Sequence, residues 1–173
     1  GVRTGGSNKN GISPSASVMY KPRDSMTAYA TYASSLQQGD IAPASAANAN
    51  QALAPYRSKE WEIGYKAQVQ TVNIATALFR IERPFANTDA NNIFRITGDQ
   101  VNYGAEISAQ GNLFHCLLVD GGFTALNPRL NDTGIAATNG KLFVGTPAYK
   151  SNILSEYRLP LIRDLIATGD WQH

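Results

Sequence analysis

The sequence predicts an all-β chain: an antiparallel meander of about eight strands with the pattern of a transmembrane β-barrel wall. Three observations predict it. Apolar and polar residues alternate in segment after segment. The alternating segments run about ten residues, against about 5–6 for globular strands and about 9–11 for a tilted membrane strand. Every second connection is long.

The alternation is clearest in Tyr56 to Gln70, "YRSKEWEIGYKAQVQ". Trp61, Ile63, Tyr65, Ala67 and Val69 fall on one parity, and Glu60, Glu62, Lys66 and Gln68 on the other. A strand turns successive side chains to opposite faces, so this one has an apolar face and a charged face.

In chain order, Ala16 to Lys21 reads as the first strand, Pro22-Arg23-Asp24 as a turn, and Ser25 to Ser34 as a second strand carrying Tyr29 and Tyr32. The stretch above is the third. Asn73 to Arg83 is the fourth, with Ala75, Ala77, Phe79 and Ile81 set against Thr76, Arg80 and Glu82. Val101 to Gln110 alternates Val101, Tyr103, Ala105, Ile107 and Ala109 with Asn102, Gly104, Glu106, Ser108 and Gln110. Leu117 to Leu126 places Val119, Phe123 and Ala125 opposite Asp120, Gly122 and Thr124. Ala148 to Arg158 sets Tyr149, Ile153 and Tyr157 against Lys150, Asn152, Glu156 and Arg158, with Leu154 interrupting the polar face. Leu165 opens an eighth strand. No helical periodicity appears.

The connections Pro22–Asp24, Thr71–Val72, Gly111–Cys116 and Pro160–Asp164 are short, whereas Ser35–Pro55, Pro84–Gln100 and Asn127–Pro147 are long. Outer-membrane barrels have this asymmetry, with short periplasmic turns and long external loops. A soluble carbohydrate-binding sandwich fits neither the strand length nor the loop placement. In a barrel the Ile63 face meets lipid and the Glu62 face meets a polar lumen. Ile63, Phe79 and Ile107 are then expected to face lipid, and Glu62, Arg80 and Glu106 the lumen. Turning Lys66 to lipid would cost about 2–4 kcal/mol at the bilayer midplane, so it fixes the register. Trp61 and Tyr149 fall near the long loops and Tyr20 and Tyr157 near the short turns, as interfacial girdles require. Ordinary sheet packing would account for any one of these aromatics equally well.

Composition excludes several functions. The 173 residues carry a net charge of +2 with no basic run, which gives nucleic acid no footprint. Charged residues make up only 16% of the chain, and small and uncharged polar residues fill stretches such as Ala42 to Ala54, "APASAANANQALA". No stretch approaches the roughly 18 apolar residues of a membrane helix. The single cysteine, Cys116, allows no internal disulfide, and with His115 beside it reads as a strand start after a turn residue, not as a metal site. Asn131-Asp132-Thr133 fits a glycosylation sequon, a short pattern relevant only to a eukaryotic secreted protein. No catalytic constellation is present, so no enzyme activity, cofactor or metal is expected.

Three segments resemble the barrel domain of TonB-dependent siderophore receptors of Gram-negative bacteria. "ALAPYRSKEWEIGYKAQ" is similar to that family's Pro-x-x-Ser-x-x-x-Glu-x-Gly-x-Lys strand, through Pro55, Ser58, Glu62, Gly64 and Lys66. "GDQVNYGAEISAQG", Gly98 to Gly111, resembles its Gly-x-x-x-Asn-x-Gly-x-Glu strand, and "GTPAYKSNILSEYRLP", Gly145 to Pro160, its strand after a long outer loop. Their order and spacing agree as well, and the likeness covers roughly Ser13 to Trp171.

The resemblance implies a barrel of about 22 strands around an N-terminal plug. Residues 1–173 are then expected to be a partial barrel domain, lacking the plug domain and the closing C-terminal strands. It implies uptake of ferric siderophore across the outer membrane, energised by the TonB-ExbB-ExbD complex through the missing plug. A receptor of the same type for haem, cobalamin or a glycan stays open, as does a small eight-stranded adhesin or structural barrel. No family ligand residue maps onto these motifs, and the substrate-binding residues are unknown. External loops on a rigid scaffold are the expected meeting place for cargo. Ser35 to Pro55, rich in Ala, Asn and Gln, is expected to be mobile and to close over a ligand. Tyr56, Arg57, Phe94 and Arg95, at loop margins, either hold an anionic chelate or anchor loop to barrel.

Overall fold

The computed structural model describes residues 11–114, 116–134, 138–143, 146–161 and 165–173. His115 and the middle of the last short connection therefore lie outside the described residues. The strands are β1 (Ser15–Arg23), β2 (Met26–Gln37), β3 (Tyr56–Val69), β4 (Val72–Thr88), β5 (Phe94–Leu113), β6 (Leu117–Asn131), β7 (Tyr149–Arg158) and β8 (Ile166–Gln172). They form one sheet in sequence order with every neighbouring pair antiparallel. All eight expected strands are present, and no helix occurs among the described residues. Among the described residues β1 pairs only with β2 and β8 only with β7, so the eight strands form an open wall and not a closed eight-stranded barrel.

Among the described residues no second layer covers this wall. The buried apolar residues are few and scattered, namely Ala42, Ala46, Tyr56, Ala77, Val101 and Leu130, while Val18, Ile63 and Leu78 stand 74%, 58% and 57% exposed. A soluble sandwich would bury such side chains in a common core. Here they form one apolar face.

Register assigns the faces, because residues directly opposite in antiparallel strands point the same way. Ile63 lies opposite Ala30 and Leu78, Leu78 opposite Ala105, and Ile107 opposite Thr76 and Phe123. This is the outer face. Glu62 lies opposite Thr31 and Phe79, Phe79 opposite Gly104, and Glu106 opposite Ala77 and Thr124. This is the inner face.

The assignment corrects one expectation: in β4 the outer set is Ile74, Thr76, Leu78 and Arg80, and Phe79 faces inward. Over this stretch both parities are oily, so local alternation could not choose between them. The two-residue turn Gln70–Thr71 decides, because it sets Val69 opposite Val72. On the inner face two glycines receive aromatic rings. A Cβ on Gly104 would collide with the Phe79 ring, and one on Gly64 with the Tyr29 ring.

Arg80 is accommodated outside because it sits in an aromatic girdle. Its guanidinium lies 4.9 Å from the Trp61 ring and 5.8 Å from the Tyr103 ring, and pairs with Glu82 at 2.6 Å. Tyr32 packs on Trp61 with centroids 5.5 Å apart. Lys59 reaches Glu82 at 3.8 Å just above. A cation on an amphipathic stem, held between interfacial rings, belongs at the edge of the hydrocarbon layer.

β4 and β5 continue past the girdle as a tall hairpin. Most of the expected long connection Pro84–Gln100 is therefore strand, and only Asp89 to Ile93 separates the two. β3–β4 pairing ends at Lys59–Glu82, so Pro84 lies where β4 is an edge, a position that tolerates a residue without an N–H. A bulge between Phe85 and Ala86 leaves Thr97 unpaired.

The corrected faces predict a labelling pattern. In the full-length protein in its membrane, single cysteines at Ile63, Leu78 and Ile107 should react with a lipid-soluble maleimide. Cysteines at Glu62, Phe79 and Glu106 should prefer a water-soluble one. Labelling of Phe79→Cys from the lipid would restore the face that register has overturned.

Candidate recognition rim and inner face

The inner face below the rim is polar. Lys66 Nζ lies 5.2 Å from the centre of the Tyr29 ring, which is itself seated over Gly64. Glu62 and Glu106 share this face, and Gln110 donates to Asp120 at 3.1 Å nearer the short turns. A hollow of about 860 Å3 opens at the short-turn end, lined by Gln70, Asn112, Phe114, Leu118, Glu156 and Arg158 among others. No group of three or more His, Cys, Asp or Glu side chains among the described residues is placed to hold a metal. This surface can orient polar or charged matter.

At the opposite end, the β4–β5 hairpin is a fixed post. Asp89 Oδ1 accepts the backbone N–H groups of Asn91 at 2.9 Å and Ile93 at 3.0 Å, and Arg95 Nε meets Asp89 Oδ2 at 2.7 Å. Those backbone donors, with the Arg95 charge, hold the Asp89 carboxyl below its ordinary value of 3.8. A depressed folded value means the stabilisation is complete above the ordinary Asp range and is lost as pH falls through the folded value. Pepsin should therefore nick the hairpin tip increasingly as pH falls through the acid range and Asp89 takes up its proton. Asp89→Ala should be nicked throughout. Equal cutting of both proteins at every pH would remove Asp89 from this role.

The β2–β3 loop corrects a second expectation: it is folded and docked. Ile41 pairs with Ala52 in an isolated bridge, Ala42 N–H donates to Gln51 O at 2.9 Å, and Asn50 N–H donates to Ala42 O at 3.0 Å. Ala42 and Ala46 are buried inside it. The small residues that suggested mobility let the loop close tightly on itself. It then grips the hairpin tip. Asn48 Nδ2 donates to Phe94 O at 2.9 Å while its Oδ1 accepts Phe94 N–H at 2.8 Å. Ala47 N–H donates to Asn92 O at 2.7 Å, and Asn92 Nδ2 donates to Ser45 O at 3.1 Å. The β6–β7 connection leans on the same post, where Phe143 meets Phe85 edge-on with centroids 6.0 Å apart.

The four margin residues separate in this setting. Tyr56 is buried at the start of β3. Arg57 extends to Ser34 Oγ at 3.5 Å. Phe94 is engaged through its main chain, and Arg95 is paired with Asp89. The structure thus gives Tyr56, Phe94 and Arg95 anchoring contacts and brings no two of the four guanidinium and aromatic groups together as a ring–cation pair among the described residues. Asn48 and Asn92 went unnoticed in the sequence, where the only signal was the Asn-rich run itself.

A wall with one apolar face, a girdle, a polar inner face and its long connections at one end is a segment of an outer-membrane β-barrel. The whole chain, residues 1–173, matches the model of the TonB dependent receptor-like β-barrel family, and the chain belongs to that family. It is 32% identical over 164 residues to the ferrichrome receptor FcuA of Yersinia enterocolitica, covering 91% of this chain and 22% of that protein. Among solved structures it resembles BauA, the ferric preacinetobactin receptor of Acinetobacter baumannii, with a TM-score of 0.68 and 30% identity over 84% of this chain and 22% of that one. The ferripyoverdine receptor of the Pseudomonas aeruginosa outer membrane shares the fold, with a TM-score of 0.73 at 20% identity over 92% of this chain. The chain spans about a fifth of the length of these relatives, covering 22% of each. Family membership places its apolar face against the lipid of a Gram-negative outer membrane.

Proposed function

We propose that this chain is part of the barrel wall of a receptor that takes up ferric siderophores across the outer membrane and performs no catalysis of its own. The observation that carries the reading is the pair of relatives at 30% identity or more, a ferrichrome receptor and a ferric preacinetobactin receptor. The wall segment fits that role physically. Its inner face is polar, and its outer end bears a folded rim where a ligand arriving from outside is first met. The remaining strands of a 22-stranded barrel, as outer-membrane transporters of this kind have, and a plug inside it belong to the rest of the receptor. The TonB-ExbB-ExbD complex acts through that plug and supplies the energy.

The test is uptake of radiolabelled iron, offered as ferrichrome and as ferric preacinetobactin, by cells whose only siderophore receptor is the complete protein. Uptake of at least one complex, abolished by deletion of TonB, is the expected result. Uptake of haem or cobalamin, with neither ferric complex bound, would replace the reading.

A further inference from the structure

We propose that Asn48 and Asn92 are positioning residues that clasp the β2–β3 loop to the β4–β5 hairpin, so that the two connections meet cargo as one preformed rim. The inference rests on the ferric-siderophore reading above and adds to it which residues preorganise the recognition surface.

The wall itself has no need of the clasp. β2–β3 pairing ends at Gln37–Tyr56 and β4–β5 pairing at Thr88–Phe94, and both ladders are complete without any contact between the connections. The clasp adds four hydrogen bonds between segments more than 40 residues apart in sequence, all within 3.1 Å. Asn48 makes two of them. One carboxamide satisfies both the N–H and the C=O of Phe94, as an opposing strand residue would, and only a side chain with a donor and an acceptor side by side can do this.

Asn92 makes the reciprocal contact from the hairpin. Its φ of 60° is left-handed, a conformation Asn adopts more readily than most residues. In that conformation its carbonyl and side-chain amide both reach the loop, toward Ala47 and Ser45. The Asp89 turn holds the tip in place from within the hairpin, so the post stands whether or not the loop is docked.

A free loop must be ordered when a ligand binds, and that ordering opposes binding. A clasped loop has lost this freedom in advance, and the apparent dissociation constant scales inversely with the clasped fraction. The bonds are neutral amide contacts, of a strength that leaves the clasp able to open. Removing the Asn48 carboxamide should lower the clasped fraction and weaken cargo binding about tenfold.

The complete receptor in detergent is compared as wild type, Asn48→Ala, Asn48→Asp, Asn92→Gly and the Asn48→Ala/Asn92→Gly double variant. Asn48→Asp keeps the shape but replaces the donor to Phe94 O, and Asn92→Gly keeps the left-handed backbone. Exposed Asn91→Ala is the control. Amide exchange over residues 41–53 and at Phe94 is measured together with the affinity for ferrichrome and ferric preacinetobactin. Faster exchange in both segments, about tenfold weaker binding, unchanged heat stability and a double variant no worse than the weaker single one would support the clasp as a single positioning unit. Faster exchange with unchanged affinity would overturn the positioning role, and unchanged exchange would overturn the clasp. If the wild type binds neither complex, the siderophore reading and the positioning role fail together, while exchange alone still decides whether the clasp exists.

Discussion

Refolded alone in detergent-free buffer, this chain should sediment as a broad distribution of oligomers and yield a monomer only when detergent is added. Two features of the wall cause this. β1 and β8 each present an unpaired edge, and an open edge templates association with another chain. The outer face carries Val18, Ile63, Leu78, Ile107, Phe123, Ile153 and Trp171, each at least 43% exposed, with no layer packed on them. Lipid covers such a face in the assembled barrel. In water the same surface is far more apolar than a monomeric soluble protein sustains. Detergent supplies the missing lipid but does not pair the edges of β1 and β8, so the detergent-bound chain should still associate through them at high concentration. A sharp folded monomer in plain buffer, with strand content matching the structure, would contradict the wall and revive a soluble sandwich.

How far the sequence disclosed this structure depended on whether a feature was local. β3 was legible because Glu60, Glu62 and Lys66 fall on one parity and leave no doubt about which face is polar. β4 was not, because Ile74, Thr76 and Leu78 are as apolar as Ala75, Ala77 and Phe79. Its face follows from pairing with β3, a relation between strands. The hairpin above the girdle was hidden because Pro84–Gln100 reads as one long connection, whereas Pro84 is tolerated where β4 lacks a second neighbour and the pairing with β5 continues past a bulge. The rim was the least legible part. Its Ala- and Asn-rich loop has the composition of a mobile segment, and what orders it is a pair of bonds from Asn48 to Phe94, 46 residues away. Side-chain amides announce no partner in a sequence, since their bonds depend on which loops the fold brings together.

The largest effect of a single substitution should come from adjacent residues in β5. Ile107 lies on the outer face between Thr76 and Phe123, part-way from the turn after Leu113 to the girdle residue Tyr103. Ser108 lies on the inner face between Ala75 and Gly122. Ile107→Arg places a guanidinium in the hydrocarbon layer, which costs about 2–4 kcal/mol at the midplane of an outer-membrane barrel and less toward its edges. Arg80 escapes this cost because two aromatic rings and the Glu82 carboxylate hold it at the interface, whereas the residues opposite position 107 are Thr76 and Phe123, with no carboxylate to pair the charge. Ser108→Arg directs the same charge toward the polar lumen, where a solvated surface change is usually within about 0.5 kcal/mol. In the complete receptor, unfolded by urea in lipid bilayers, Ile107→Arg should therefore lose most of the difference and Ser108→Arg little of it. Cells making Ile107→Arg should also show less assembled, heat-modifiable receptor in their outer membrane. Equal losses at the two positions would mean that neither face is buried in lipid, and the membrane wall would have to be abandoned.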